Sequence, residues 1–251
     1  FSDDPTRAWR AVRYEQRLDF CIEPRTLLLL ERDLPLMDNV SGERIRHELE
    51  LLLKEGCPEK ALQRSDNLGL LKQADISPVH MNKLPEQFAL ARERYSDSAS
   101  PPLIYLAVLC WPMPATGIER IIDRLHFPKQ TATILRDLPA IAGSAGELSI
   151  RGLQPSRIYE LLKGKKTAAL LAATLCLDAV ASEHVEAYLD VLRYVKSTLA
   201  GGDMERLGVP AGPIRSEVLA ALRNARLDGT VSSRAEEEDM VRHFLEETRS
   251  D

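Results

Sequence analysis

The sequence predicts an all-α, multi-helix protein, and three observations carry that prediction. Apolar residues recur at helical spacing along nearly the whole chain. No run alternates apolar and polar residues for long enough to make a sheet. Proline, glycine and serine punctuate the periodic stretches where helices have to stop.

The elements follow in order. Asp4 suits an N-cap and Pro5 the first helical position, where its missing N–H has no partner to lose. Pro24 to Arg32 reads as a short leucine-rich helix. Ser41 then caps a third, in which Ile45, Leu49, Leu52 and Leu53 form the apolar stripe, with Arg44–Glu48 and Arg46–Glu50 as i,i+4 pairs on other faces. Pro58 to Lys72 holds one or two short helices, and a loop around Ile76-Ser77-Pro78 closes the first unit. In the middle, helices are predicted over Leu84–Arg94, Leu103–Cys110, Gly117–Leu125 and Lys129–Ile141, separated by clusters such as Ser96 to Pro102. Gly143-Ser144-Ala145-Gly146 reads as a hinge or linker. The last hundred residues predict helices over Ser156–Leu162, Thr167–Leu175, Glu183–Thr198, Pro213–Arg226 and Ser233–Glu247. Ser233 and Glu236 have capping-box spacing, and Gly229 is placed to end the helix before them.

Composition narrows the function. The net charge of −5 gives no global basic field, so any contact with RNA has to come from local patches. Cys21, Cys57, Cys110 and Cys176 are far apart and form no CxxC pair, which argues against a zinc site or a disulfide framework and makes a reducing cytoplasm the expected setting. The uncharged stretch from Ser98 to Ile118 is broken by Pro101, Pro102, Pro112 and Pro114; it reads as a buried helix with proline stops, not as a membrane span. His47, His80, His126, His184 and His243 stand alone without ligand spacing, so they read as surface or packing residues and no metal site is expected.

The first twenty residues are the most informative. At about 100° per residue, Arg7, Arg10, Arg13 and Arg17 fall within an arc of roughly 120°, while Trp9, Val12 and Leu18 occupy the rest of the circumference with Ala8 and Ala11. One face packs and the other is cationic, a pattern suited to a nucleotide or a phosphodiester. Asp4 and Arg7 lie one turn apart, so a carboxylate acceptor and a fork of guanidinium donors could bond the edge of a nucleobase. Standing alone, such a pair is more readily a helix cap beside a solvated arginine. A second basic cluster, Arg157, Lys163, Lys165 and Lys166, holds one opposing charge, Glu160; it suits an RNA backbone or a solvated loop equally. Gly212-Pro213 opens a helix whose free N–H groups suit either a phosphate or a tight packing turn.

Taken together, Asp3-Asp4-x-x-Arg7-x-x-Arg10-Ala11-x-Arg13-Tyr14-x-x-Arg17-Leu18-x-Phe20, followed by Ser41-Gly42-Glu43-Arg44-Ile45-x-x-Glu48-Leu49-x-x-Leu52-Leu53, resembles the neck of the class II tRNA nucleotidyltransferase and bacterial poly(A) polymerase family. The stretches Leu199 to Ile214, Ala225 to Val231 and Glu236 to Glu238 resemble the tail of its longer bacterial members. In that family an E-D-x-x-R motif selects the incoming ATP or CTP, and the matching positions are Asp4 and Arg7, with Asp3 where the family usually has Glu. The resemblance implies that Arg10 and Arg13 support the nucleotide and that Asp3, Glu43 and Arg44 buttress its pocket; local charge and the helix start make Arg157, Lys163, Lys165, Lys166 and Gly212 the residues expected to meet RNA.

It also implies an elongated array of subdomains: a nucleotide-selecting neck over 1–78, a body over 79–146 and an RNA-binding tail over 147–251. The chain has no D-x-D strand to hold the Mg2+ ions that nucleotidyl transfer uses, and lacks the family's phosphate loop. The catalytic head is therefore expected upstream of Phe1, and this chain is expected to be inactive by itself. The expected partners are a tRNA or other RNA 3′ end and a nucleoside triphosphate, with no membrane. A stand-alone helical RNA-binding module and a protein-interaction scaffold are the competing classes.

Overall fold

The computed structural model describes residues 1–96 and 101–250, with side chains described to residue 246. The central part of the Ser96–Pro102 cluster and the start of the Ser98–Ile118 stretch lie outside the described residues. Among the described residues the regular structure is all helical, without a strand. Contacts divide them into two compact units, residues 1–145 with 165–178, and residues 146–164 with 179–251.

The first unit holds α1 (Arg7–Arg17), α2 (Pro24–Asp33), α3 (Gly42–Leu53), α4 (Pro58–Asn67), the one-turn α5 (Leu70–Gln73), α6 (Leu84–Tyr95), α7 (Pro101–Leu109), α8 (Ala115–Leu125) and α9 (Lys129–Gly143). Its centre is α7, buried from Ile104 to Leu109 and touched by α3, α6 and α9. The chain returns to this unit with α12 (Thr167–Cys176), which packs on α7 and α9. Both helices are apolar on all sides because neighbours surround them. Amphipathic helices cover this centre. In α8, Ile118, Ile121, Ile122 and Leu125 are buried at i, i+3, i+4 and i+7, the stripe expected of a helix with one wet face. In α3 the predicted residues Ile45, Leu49, Leu52 and Leu53 are all buried.

The second unit holds α10 (Ala145–Leu148), whose first residue falls to the first unit, α11 (Pro155–Leu162), α13 (Ala179–Asp190), α14 (Gly201–Arg206), α15 (Pro213–Leu227) and α16 (Arg234–Ser250). Leu199, Met204, Val209, Val218, Leu222 and Val241 form a core among α14, α15 and α16. The predicted capping box of α16 is made: the Glu236 amide donates to the Ser233 hydroxyl at 3.3 Å, and the Ser233 amide donates to Glu236 Oε2 at 3.1 Å. Gly229 follows α15 with φ +71°, a left-handed conformation that favours glycine.

Three sequence expectations are corrected. The helix predicted over Glu183–Thr198 runs instead over Ala179–Asp190; a 3-10 turn, Leu192–Tyr194, follows, and beyond it the amides of Thr198 and Leu199 donate to the Glu237 carboxylate on α16 and not to helix carbonyls. Ser41 precedes α3 as predicted but makes no side-chain cap bond. The helix expected to open at Pro5 starts at Arg7, with Thr6 at its N-cap position. Residues 4–8 enter it through i→i+3 bonds, Arg7 N to Asp4 O at 3.2 Å and Ala8 N to Pro5 O at 3.0 Å.

Candidate functional site

Two turns of chain bring the leading residues together with α3. Asp4 precedes α1 by a tight turn, and its Oδ1 accepts the Thr6 amide at 3.1 Å and the Thr6 hydroxyl at 2.6 Å. The same oxygen accepts Arg44 Nη2 from α3 at 2.9 Å. Arg44 is thus committed across to Asp4 and not along its own helix to Glu48, as the i,i+4 spacing had predicted. The other predicted pair, Arg46 with Glu50, is present at 3.5 Å.

The Thr6 hydroxyl, aided by its amide and by Arg44, outweighs partial burial and holds the Asp4 carboxyl below its ordinary range. Asp4 is therefore an anion that can only accept. Three donors converge on Oδ1, and Oδ2 carries no hydrogen bond. Asp4, Thr6, Arg10, Glu43, Arg44, His47 and Glu48 line an open cleft of about 270 Å³. It joins an ionised acceptor to two guanidinium groups, a donor and acceptor set that suits a flat polar ring edge.

Of the residues predicted for a nucleotide pocket, this cleft collects Asp4, Arg10, Glu43 and Arg44. Asp3 and Arg7 are exposed and lie outside its lining. Arg13 departs from the predicted cationic face: it is 9% exposed, and its Nη1 donates to Glu55 Oε1 at 3.2 Å. Trp9 and Val12 fill the apolar side as predicted, but Leu18 is half exposed because it stands past the end of α1. Thr6, His47 and Glu48 were missed. Glu48 sits four residues after Arg44, and His47 one turn after the same arginine, so helical spacing alone places them on one side of α3.

The remaining predicted residues lie elsewhere. Arg157 Nη2 donates to Glu147 Oε2 at 2.9 Å, and Lys163 pairs with Glu160, both in the second unit. Lys165 and Lys166 belong to the first unit, where Lys165 Nζ is 3.7 Å from Asp137 Oδ1 and the Lys166 amide donates to Asp137 Oδ2 at 2.7 Å. Carboxylates thus offset more of this basic segment than Glu160 alone would. Gly212 stands before α15 at φ +122°, a conformation that disfavours a side chain. Among the described residues no cluster of three or more His, Cys, Asp or Glu side chains could hold a metal ion. No helix among them is long and apolar enough to cross a membrane.

Comparison with known proteins gives consistent results. A family described as the probable RNA and SrmB-binding site of polymerase A matches residues 19–74. That span covers α2 to α5, including Glu43 and Arg44, but not Asp4 to Arg10. An A-adding tRNA nucleotidyltransferase of Geobacter sulfurreducens is 30% identical over 257 residues, covering 94% of this chain and 29% of that protein. A structure titled as a CCA-adding enzyme complex with ATP superposes with a TM-score of 0.78 at 25% identity, covering 97% of this chain and 61% of the other. The Thermotoga maritima CCA-adding enzyme complexed with tRNA gives a TM-score of 0.77 at 25% identity, covering 97% of this chain and 62% of the other. The chain spans less than two thirds of the length of each of these three proteins.

Proposed function

From a chain related over nearly its whole length to the tRNA nucleotidyltransferases, we propose that it is the nucleotide-selecting and RNA-holding helical part of an RNA nucleotidyltransferase. The parent reaction is attack of an RNA 3′-hydroxyl on the α-phosphate of ATP or CTP, with release of pyrophosphate. The observation that carries this reading is Asp4, ionised and fixed through Oδ1 by Thr6 and Arg44, with Oδ2 unbonded beside the cleft. Adenine and cytosine both present an amino donor next to a ring-nitrogen acceptor. A carboxylate oxygen accepts from the first, and a guanidinium donates to the second. Guanine and uracil present a carbonyl where the amino group would be, and a carboxylate repels it.

In this reading Asp4 and Arg7 choose the base, Arg10 and Arg13 support the nucleotide, and Asp3, Glu43 and Arg44 hold the pocket in shape. Residues 1–78 act as neck, 79–146 as body and 147–251 as tail, with Arg157, Lys163, Lys165, Lys166 and Gly212 meeting the RNA. Among the described residues no three His, Cys, Asp or Glu side chains gather as metal ligands. The metal-binding carboxylates belong to the part of the parent enzyme outside it, and the chain is inactive alone. The reaction would run in the cytoplasm.

The test is made in the complete enzyme. Asp4→Asn or Arg7→Ala should lose about 1–3 kcal/mol of discrimination for ATP and CTP over GTP and UTP, read as ratios of kcat/KM, before RNA binding weakens. Unchanged nucleotide preference in both variants would refute the assignment.

A further inference from the structure

A second cleft, of about 240 Å³, lies between α1 and the start of α4; of the residues assigned to the nucleotide above, Arg13 alone lines it. Arg13, Gln16 and Arg17 wall it from α1; Glu55, Gly56 and Cys57 form its floor ahead of α4; and Lys60 and Ala61 close it. Three cations face one carboxylate there. Glu55 is shared, 3.2 Å from Arg13 Nη1 and 3.9 Å from Arg17 Nε, so its single charge leaves two unbalanced.

Two further observations point to an anion. Arg13 is nine-tenths buried, yet its Nε has no acceptor. Leaving such a group unpaired inside the fold is costly, and Arg13 also lines the cleft, where its guanidinium charge would attract an oxyanion. Cys57, at the N-cap position of the ten-residue α4, makes no side-chain cap bond. The acid in the first turn of α4, Glu59, is turned to Arg92 by two bonds of 2.9 and 2.8 Å. Glu59 therefore shares its charge with Arg92 and offsets the positive end of α4 only in part.

We propose that this cleft binds a backbone phosphate of single-stranded RNA, separately from the cleft that holds the base. The inference rests on the reading that the chain handles RNA. A free pyrophosphate or a nucleoside triphosphate shares the phosphate chemistry, and the test separates these sources. Arg17 and Lys60 are exposed, so Arg17→Glu and Lys60→Glu leave the core intact. Cys57 is an exposed thiol inside the cleft, and Cys21, also exposed, lies outside its lining.

In the complete polypeptide, binding of a single-stranded oligoadenylate is measured by fluorescence anisotropy across a salt series. Alkylation of each cysteine is followed by peptide mass spectrometry with and without the RNA. Each variant should weaken binding severalfold and make the slope of log K against log salt about 0.7 shallower. The RNA should slow alkylation of Cys57 but not of Cys21, and pyrophosphate or ATP at equal concentration should do neither. Wild-type affinity and slope in both variants, or equal protection of Cys57 by pyrophosphate, would overturn the proposal. RNA binding that persists without protecting Cys57 removes this inference alone. Absence of any RNA binding removes the RNA reading with it.

Discussion

Asp4 spends one carboxylate oxygen inside the fold, Oδ1 on Thr6 and Arg44, and lines the cleft with the rest of its side chain. Glu237 shows the opposite use of the same group. It is fully buried and spends both oxygens inside the fold, accepting the Ser197 hydroxyl at 2.9 Å, the Thr198 amide and hydroxyl at 3.0 and 2.6 Å, the Leu199 amide at 2.9 Å and Arg226 Nη1 at 2.9 Å. Burial alone would push its carboxyl up, but the Thr198 hydroxyl and amide, the Leu199 amide and the Ser197 hydroxyl outweigh it and hold it down at about 2. A depressed carboxyl stabilises the fold fully above its ordinary value of 4.5, and that stabilisation drains away as pH falls toward about 2. Glu237→Gln weakens every one of these bonds and leaves Arg226 without its counter-ion, so it should cost about 3 kcal/mol at neutral pH. Urea denaturation should show that cost at pH 7 and a smaller one near pH 3; a pH-independent difference would mean that the charge is not what holds residues 197–199.

At the scale of elements, the position of α3 decides whether the Asp4 cleft exists, because α3 brings Glu43, Arg44, His47 and Glu48 to it. The start of α3 is pinned to the end of α8. A Cβ built at Gly42 would lie 1.8 Å from the Arg124 carbonyl oxygen, and Arg124 itself donates to the carbonyls of Met37 and Val40 at 3.0 and 3.1 Å. Arg46 returns the contact by donating to Leu125 O at 3.1 Å. Backbone on backbone has nothing flexible to give, so Gly42→Ala should destabilise by about 3 kcal/mol and weaken nucleotide selection together with stability. Thermal unfolding and nucleotide competition on the same preparation would check both; a stable variant with wild-type selectivity would show that α3 can shift freely.

The helix boundaries in this region were legible in the sequence because caps, proline and apolar spacing are local signals, as at Pro24, Ser41 and Pro58. The partners of Arg44 and Arg13 were not legible. Helical spacing offered Arg44 a partner at Glu48, whereas the fold supplied one 40 residues away, and Arg13 found its acid 42 residues away. The non-helical path at Thr198 was hidden for the same reason, since Glu237 lies 39 residues beyond the amide it accepts.

Over the whole molecule, this pairing determines the field that a polyanion such as the proposed RNA would meet. With 33 Lys and Arg against 38 Asp and Glu, the chain repels a polyanion at long range, and much of the arginine is already committed to carboxylates, as at Arg44, Arg64, Arg92, Arg136 and Arg226. The four arginines of α1 looked equivalent in sequence, but burial removed Arg13 from the solvent face and left Arg7, Arg10 and Arg17 exposed. On the proposed reading Arg7 and Arg10 serve the nucleotide, so the exposed cations left to meet RNA are Arg17, Lys60 and Lys166, about three phosphate contacts each worth about 0.7 in the salt slope. RNA binding should therefore follow a slope of about −2, steep enough to mark it as electrostatic and far shallower than a protein with a broad basic face would give. Anisotropy titrations across a series of salt concentrations measure that slope directly. A value twice as steep would mean that the internal ion pairs open to meet the RNA, and a flat response would mean that it is held by stacking instead of by charge.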